Sequence, residues 1–213
     1  DRGGFEVSKL EEATAKRYLP AAELSKLKSS TASNPQCEYA RKLFLFSYYC
    51  YGISFIDMAM LTAAHIKQME DGDYIVYKRQ KIKRQKGVKP ISIKITPAIR
   101  QLIGSLQAAS PTVDDFLLPI VTRSGYTGER LYMHIRTRYS KYQKYLRLLA
   151  EELGINFHLT SYVSRHTAAM TLQRNHIPRE VISQMLGHAD LETTNIYLDS
   201  FDNGVINEAA KVL

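Results

Sequence analysis

The sequence predicts a mainly α domain that carries a small β-hairpin or three-stranded antiparallel sheet. Apolar residues recur at helical spacing through most of the chain, in blocks that open on Asn, Asp, Thr or Pro and close on Gly. One stretch, residues 74–96, instead alternates apolar and polar positions and turns back on itself. With 213 residues, 45% of them hydrophobic, the chain is long enough to bury one sizeable core, which argues against disorder.

Taken in order, residues 1–17 are polar, and Gly3-Gly4 suits a linker. Tyr18-Leu19-Pro20 leads into a helix, AAELSKLKSS, that turns Leu24 and Leu27 inward. Asn34-Pro35 starts a second, running to about Tyr51. Its content of Leu43, Phe44, Leu45, Phe46, Tyr48 and Tyr49 marks a central core helix. Gly52 ends it, and ISFIDMAML begins another, where Asp57 suits the positive end of the helix dipole. In YIVYKRQ and the residue after it, Ile75, Tyr77, Arg79 and Lys81 fall on one face. QKGVK turns around Gly87, and PISIKIT returns as the second strand. Pro97 opens a helix over residues 97–109 with Ile99, Leu102, Ile103 and Leu106 inward, and a loop with the apolar run FLLPI follows. A long helix begins near Gly128, in which Arg136, Arg138, Tyr139, Lys141, Tyr142, Lys144, Tyr145 and Arg147 interleave cations and rings. Such side chains commonly pack their stems along a surface, so no role is assigned within it.

Composition narrows the partners. Twenty-nine Lys and Arg against twenty-one Asp and Glu give +8, which favours a polyanionic partner and equally fits an ordinary basic protein. Cys37 and Cys50 lack CxxC or His-bracketed spacing, so the expectation is reduced thiols in a cytoplasmic protein, with no metal and no other cofactor. The longest apolar stretch, LFLFSYYCYGISF, is too short and too polar for a bilayer, and no signal-peptide layout begins the chain, so no membrane partner is expected.

The most informative segment is residues 158–199. A helix over SYVSRHTAAMTLQR buries Val163, Ala169, Met170 and Leu172 and anchors Arg165. IPREVISQMLGH makes another, with Pro178 in its first turn, a buried stripe of Val181, Ile182, Met185 and Leu186, a stop at Gly187, and His188 directly after it. Asp190 suits the cap of a third helix, in which Tyr197 stands nine residues beyond His188. A guanidinium, an imidazole and a phenol brought together suit chemistry on a phosphodiester, two groups holding phosphate oxygens while the third attacks phosphorus. Taken singly, each also has an ordinary structural reading: an arginine paired with a carboxylate, a histidine at a turn, a core tyrosine among fourteen.

RHT, then LGH, then a tyrosine nine positions on resembles the tyrosine recombinases, or phage-type integrases, most strongly over residues 158–199 and more loosely from Tyr18 to Asp199. The resemblance implies a helical catalytic domain over residues 18–201. Residues 1–17 would be a linker stub from an N-terminal DNA-binding domain, and residues 202–213 a tail helix that packs onto a neighbouring protomer, the alternative being that it docks onto its own domain. It implies cleavage and rejoining of double-stranded DNA by a homo-oligomer, a tetrameric synapse, without cofactor, metal or small-molecule substrate. Tyr197 would be the nucleophile that forms a 3′-phosphotyrosyl link, with Arg165 and His188 on the phosphate. Arg79-Gln80-Lys81 resembles the family's R-x-K hairpin, which makes Lys81 the general acid for the leaving 5′ oxygen, beside a basic rim of Lys78, Lys83, Arg84, Lys86 and Lys89.

The chain departs from the family pattern twice. Ser54 stands where the family's first phosphate-binding arginine belongs, while Asp57 matches its acidic position; some mobile-element integrases look similar in this, and Arg79 is the candidate stand-in. Tyr162 occupies the His or Lys slot three residues before Arg165. A phenol with a pKa near ~10 can bind a phosphate and is a poor general base, which leaves His158 as an alternative base; His166 is expected to be structural. A type IB topoisomerase-like nicking-closing enzyme and a catalytically inactive DNA-binding regulator are the competing expectations.

Overall fold

The computed structural model describes residues 18–83, 88–188 and 194. Its order is α1 (Ala21–Ser29), α2 (Pro35–Tyr49), α3 (Phe55–Ala59), a 3₁₀ turn (Ala63–His65), β1 (Ile66–Met69), β2 (Gly72–Tyr77), β3 (Ile91–Lys94), α4 (Pro97–Ala109), α5 (Gly128–Glu152), α6 (Ser161–Arg174) and α7 (Arg179–Leu186). The mainly α class with a three-stranded antiparallel sheet is as expected.

α2 is the hub. Asn34 caps it by accepting hydrogen bonds from the Gln36 and Cys37 amides at 2.8 and 3.3 Å, with Pro35 at the first position. Leu43, Phe44, Leu45 and Phe46 are buried, as expected of a helix packed against α4, α5 and α6 at once. A polar contact fixes α6 on it: the Ser47 and Ser164 hydroxyls lie 2.7 Å apart, while Ser47 also donates to the Ile53 carbonyl. After α2 the chain reverses through Tyr51 and Gly52, both in the left-handed region at φ 57° and 71°. Cys37 and Cys50 are buried and free.

The sheet runs β1-β2-β3, with Ile75 opposite Ile93 and Tyr77 opposite Ile91. These four are buried and Lys94 and Ser92 are exposed, so one face lies on the core. β2 ends at Tyr77, however, so the expected shared strand face of Arg79 and Lys81 does not exist. The Asp57 carboxylate captures the Gln80 amide at 2.7 Å, and the Ile82 amide donates to the Arg79 carbonyl at 3.1 Å, closing a turn where a longer strand was expected.

Tyr18, Ala169, Met170, Ile182 and Leu186 form a small second core between α6 and α7, separate from the main one. The α7 stripe is narrower than expected: Ile182 and Leu186 are buried, Met185 is half-buried, and Val181 is 44% exposed, because this two-turn helix packs on α6 and β3 and leaves the Val181 side to solvent. Among the described residues no helix is long and apolar enough to cross a membrane.

Candidate active site

Arg165 is 4% exposed and held at two corners by backbone carbonyls. Its Nη1 donates to the Gly52 oxygen at 3.1 Å and its Nη2 to the Leu186 oxygen at 2.5 Å. The first contact requires glycine, since a Cβ on Gly52 would lie 2.4 Å from the Arg165 Cα and 2.5 Å from its Cβ. The second uses the C-terminal end of α7, where unpaired carbonyls and the negative pole of the helix favour a cation. The anchored arginine expected from sequence is present, and its guanidinium is buried against the backbone.

Gly187, at φ 64°, ends α7, and the His188 amide reaches back to the Ser183 carbonyl at 3.0 Å. The Gly187 carbonyl then accepts from Arg79 Nη1 at 3.2 Å. Two guanidiniums therefore sit on consecutive carbonyls, Leu186 and Gly187, at one helix end. A Cβ on Gly187 would lie 2.3 Å from Ile91 and 3.2 Å from Arg79, so this glycine also lets the sheet and the Arg79 turn approach. The His188 Nδ1 lies 2.7 Å from the hydroxyl of Thr194, which is buried.

Ser54 caps α3. Its hydroxyl accepts from the Asp57 amide at 3.2 Å and donates to the Asp57 carboxylate at 2.6 Å. Asp57 is buried, and its other oxygen holds the Gln80 amide, so it places the Arg79 turn as well as serving α3. Burial pushes the Tyr77 phenol far above its ordinary range, the Asp57 charge adds to that, and Arg165 and Arg79 oppose it.

Ser54, Arg79, Tyr162 and Arg165 line one cleft of about 420 Å³, faced across by Tyr132, Arg136 and Tyr139 of α5. Tyr162 is 52% exposed and sets its ring edge-on to His166, centroids 4.9 Å apart; His166 itself is buried. Lys81 is exposed, in the turn that follows Arg79, and does not line this cleft. His158 is exposed in the loop before α6 and does not line this cleft either. Tyr197, Asp190, Gly87 and the expected tail helix lie outside the described residues.

From sequence, Gly52 is visible only as a helix stop, and the α5 side of the cleft is not visible as a site. Tyr132, Arg136 and Tyr139 of α5 stand at i, i+4 and i+7, which puts them on one helical face.

Residues 17–203 match the phage integrase family. Among curated relatives, tyrosine recombinase XerC of Rhodospirillum centenum is 31% identical over 114 residues, which are 54% of this chain and 31% of that protein. Tyrosine recombinase XerD of Halalkalibacterium halodurans is 41% identical over 54 residues, 25% of this chain and 18% of that one. The chain spans about a third or less of the length of these relatives. Among solved structures, XerA recombinase superposes with a TM-score of 0.62 at 22% identity, covering 91% of this chain and 64% of that one. The Tn1549 transposon integrase in complex with transposon right end DNA superposes with a TM-score of 0.64 at 13% identity, covering 98% and 70%. At those identities the structural likeness establishes the fold, and the family match over residues 17–203 establishes the kinship: the chain belongs to the phage integrase family of tyrosine recombinases.

Proposed function

We propose that this domain cleaves and rejoins double-stranded DNA at specific sites through a 3′-phosphotyrosyl intermediate. The observation that carries the reading is the pair of guanidiniums, Arg165 and Arg79, on consecutive carbonyls at the end of α7, in one cleft with Ser54. A phosphodiester develops charge on its non-bridging oxygens as it is attacked, and two preorganised cations stabilise that charge. Arg79 then stands in for the cation that Ser54 does not supply, with His188 as the third group on the phosphate and Tyr162 hydrogen-bonding it at the mouth. Tyr197 gives up its phenolic proton to solvent as its Oη attacks phosphorus, the bond to the 5′ oxygen breaks, and Lys81 protonates that oxygen. The covalent link conserves the bond for rejoining, so no nucleotide cofactor enters. The net charge of +8 favours the DNA backbone as partner. The working species is a tetramer assembled on DNA in the cytoplasm.

Single-turnover cleavage tests the arginine pair. Arg79→Ala should slow cleavage by roughly 100-fold or more with little change in DNA affinity. Adding Ser54→Arg should recover part of that loss and not all of it, because the substitution also removes the α3 cap, worth about 1 kcal/mol. An Arg79→Ala variant that cleaves like the parent would leave Arg79 as part of the basic rim.

A further inference from the structure

The dipeptide Tyr18-Leu19 joins two cores that otherwise do not share residues. Leu19 is buried in the main core, while Tyr18, the residue before it, is buried in the small core with Ala169 and Met170 of α6 and Ile182 and Leu186 of α7. The backbone between them is fixed to α6, since the Leu19 amide donates to the Thr167 hydroxyl at 3.0 Å, and that hydroxyl donates to the Val163 carbonyl at 2.7 Å. The Tyr18 ring also faces Arg174 at the end of α6, 5.0 Å from centroid to guanidinium, and its hydroxyl accepts from Arg174 Nη2 at 3.3 Å.

α7 needs such a support. It has only eight residues, seated on α6 on one side and β3 on the other, yet its last carbonyls hold both arginines of the cleft and its end places His188. Leu186 belongs to both arrangements: its side chain packs in the Tyr18 core, and its carbonyl accepts Arg165 Nη2. A change in the seat of α7 on α6 therefore moves the acceptor that fixes the Arg165 guanidinium.

We propose that Tyr18 is a positioning residue for the phosphate site, acting through Leu186 on Arg165. This rests on the DNA-cleaving reading above. No contact between Tyr18 and DNA is required.

The test uses the full chain and a nicked duplex carrying its cognate site. Tyr18→Ala should lower the single-turnover cleavage rate at saturating DNA by about 10-fold or more, leaving DNA affinity within about 2-fold, since a misplacement of ~1 Å at a charge-stabilising group acts on the rate and not on binding. Tyr18→Phe, which keeps the packed ring, should cleave within about 3-fold of the parent. Thr167→Val, which removes the acceptor of the Leu19 amide in an isosteric side chain, should slow cleavage in the same sense and decides the matter if Tyr18→Ala melts below the assay temperature. The NMR signals of the Arg165 guanidinium report its bond to Leu186 independently of activity. They should shift in Tyr18→Ala and stay in place in Tyr18→Phe. Unchanged Arg165 signals in a folded Tyr18→Ala protein, or its cleavage at the parent rate, overturn the proposal. Shifted signals in a chain whose parent form does not cleave DNA would uphold the coupling and remove the DNA-cleaving reading instead.

Discussion

Gly52→Ala is the sharpest single perturbation of the site. Residue 52 sits at φ +71°, and the added methyl would fall 2.4, 2.5 and 2.6 Å from the Arg165 Cα, Cβ and Cγ. The left-handed backbone costs an alanine about 1–2 kcal/mol, and forcing an extra methyl into a packed contact costs about 1–3 kcal/mol more. The sum, about 2–5 kcal/mol, lies within the ~5–15 kcal/mol typical of a domain, so the variant should fold with a lowered denaturation midpoint. Ordinary contact begins at 3.4 Å, so Arg165 and residue 52 must separate by about 1 Å. That displacement breaks the bond from Arg165 Nη1 to the residue 52 carbonyl and should slow single-turnover cleavage on the order of 100-fold. Gly104→Ala is the control, because in α4 its methyl meets nothing within 4 Å; it should gain about 0.5–1 kcal/mol and cleave normally. A folded Gly52→Ala protein that cleaves at the Gly104→Ala rate would refute the claim that this approach fixes the arginine.

Two further outcomes follow from the Arg79 turn. Lys81→Ala should lose cleavage on ordinary DNA and regain it on a substrate whose bridging 5′ oxygen is sulfur, since a thiolate leaves without protonation, whereas Arg165→Ala should not be rescued; equal rescue of both, measured in the same assay, would show that the roles are misassigned. Asp57→Ala leaves the Gln80 amide without its acceptor and should cost about 1–3 kcal/mol in urea denaturation along with slower cleavage, while Asp57→Asn, which keeps an oxygen for that amide, should lose less of both; equal losses would mean that the carboxylate does not set the turn.

Much of this site was legible because its helices announce themselves locally. The α6 span is the expected SYVSRHTAAMTLQR, although the helix is buried on every side from Val163 to Met170 and not along one stripe, and Gly187 is a stop that any reading of α7 would place. Where the sequence misled, the deciding contact is remote. Alternation carries YIVYKRQ onward as a strand, and nothing within it tells that Asp57, 23 residues earlier, takes the Gln80 amide and bends the chain. Val181 fits the apolar stripe by spacing, but α7 packs on α6 and β3, and the Val181 side faces neither. Gly52 and Gly187 were visible as breaks; that a side chain at either would strike Arg165 or Ile91 depends on segments far away in the chain. Ser54 was visible as a missing cation. The position of Arg79 beside it in the cleft, on the carbonyl next to the one that holds Arg165, is a property of the folded chain alone.

The most direct test of the account is to incubate the protein with a nicked suicide duplex and map any covalent protein–DNA adduct by peptide mass spectrometry. Religation is blocked on such a substrate, so the intermediate accumulates. A denaturant-resistant adduct through a 3′ phosphate on Tyr197 is expected, absent in Tyr197→Phe although that variant still binds the duplex. An adduct on any other tyrosine, or none from a parent protein that binds its site, would contradict it.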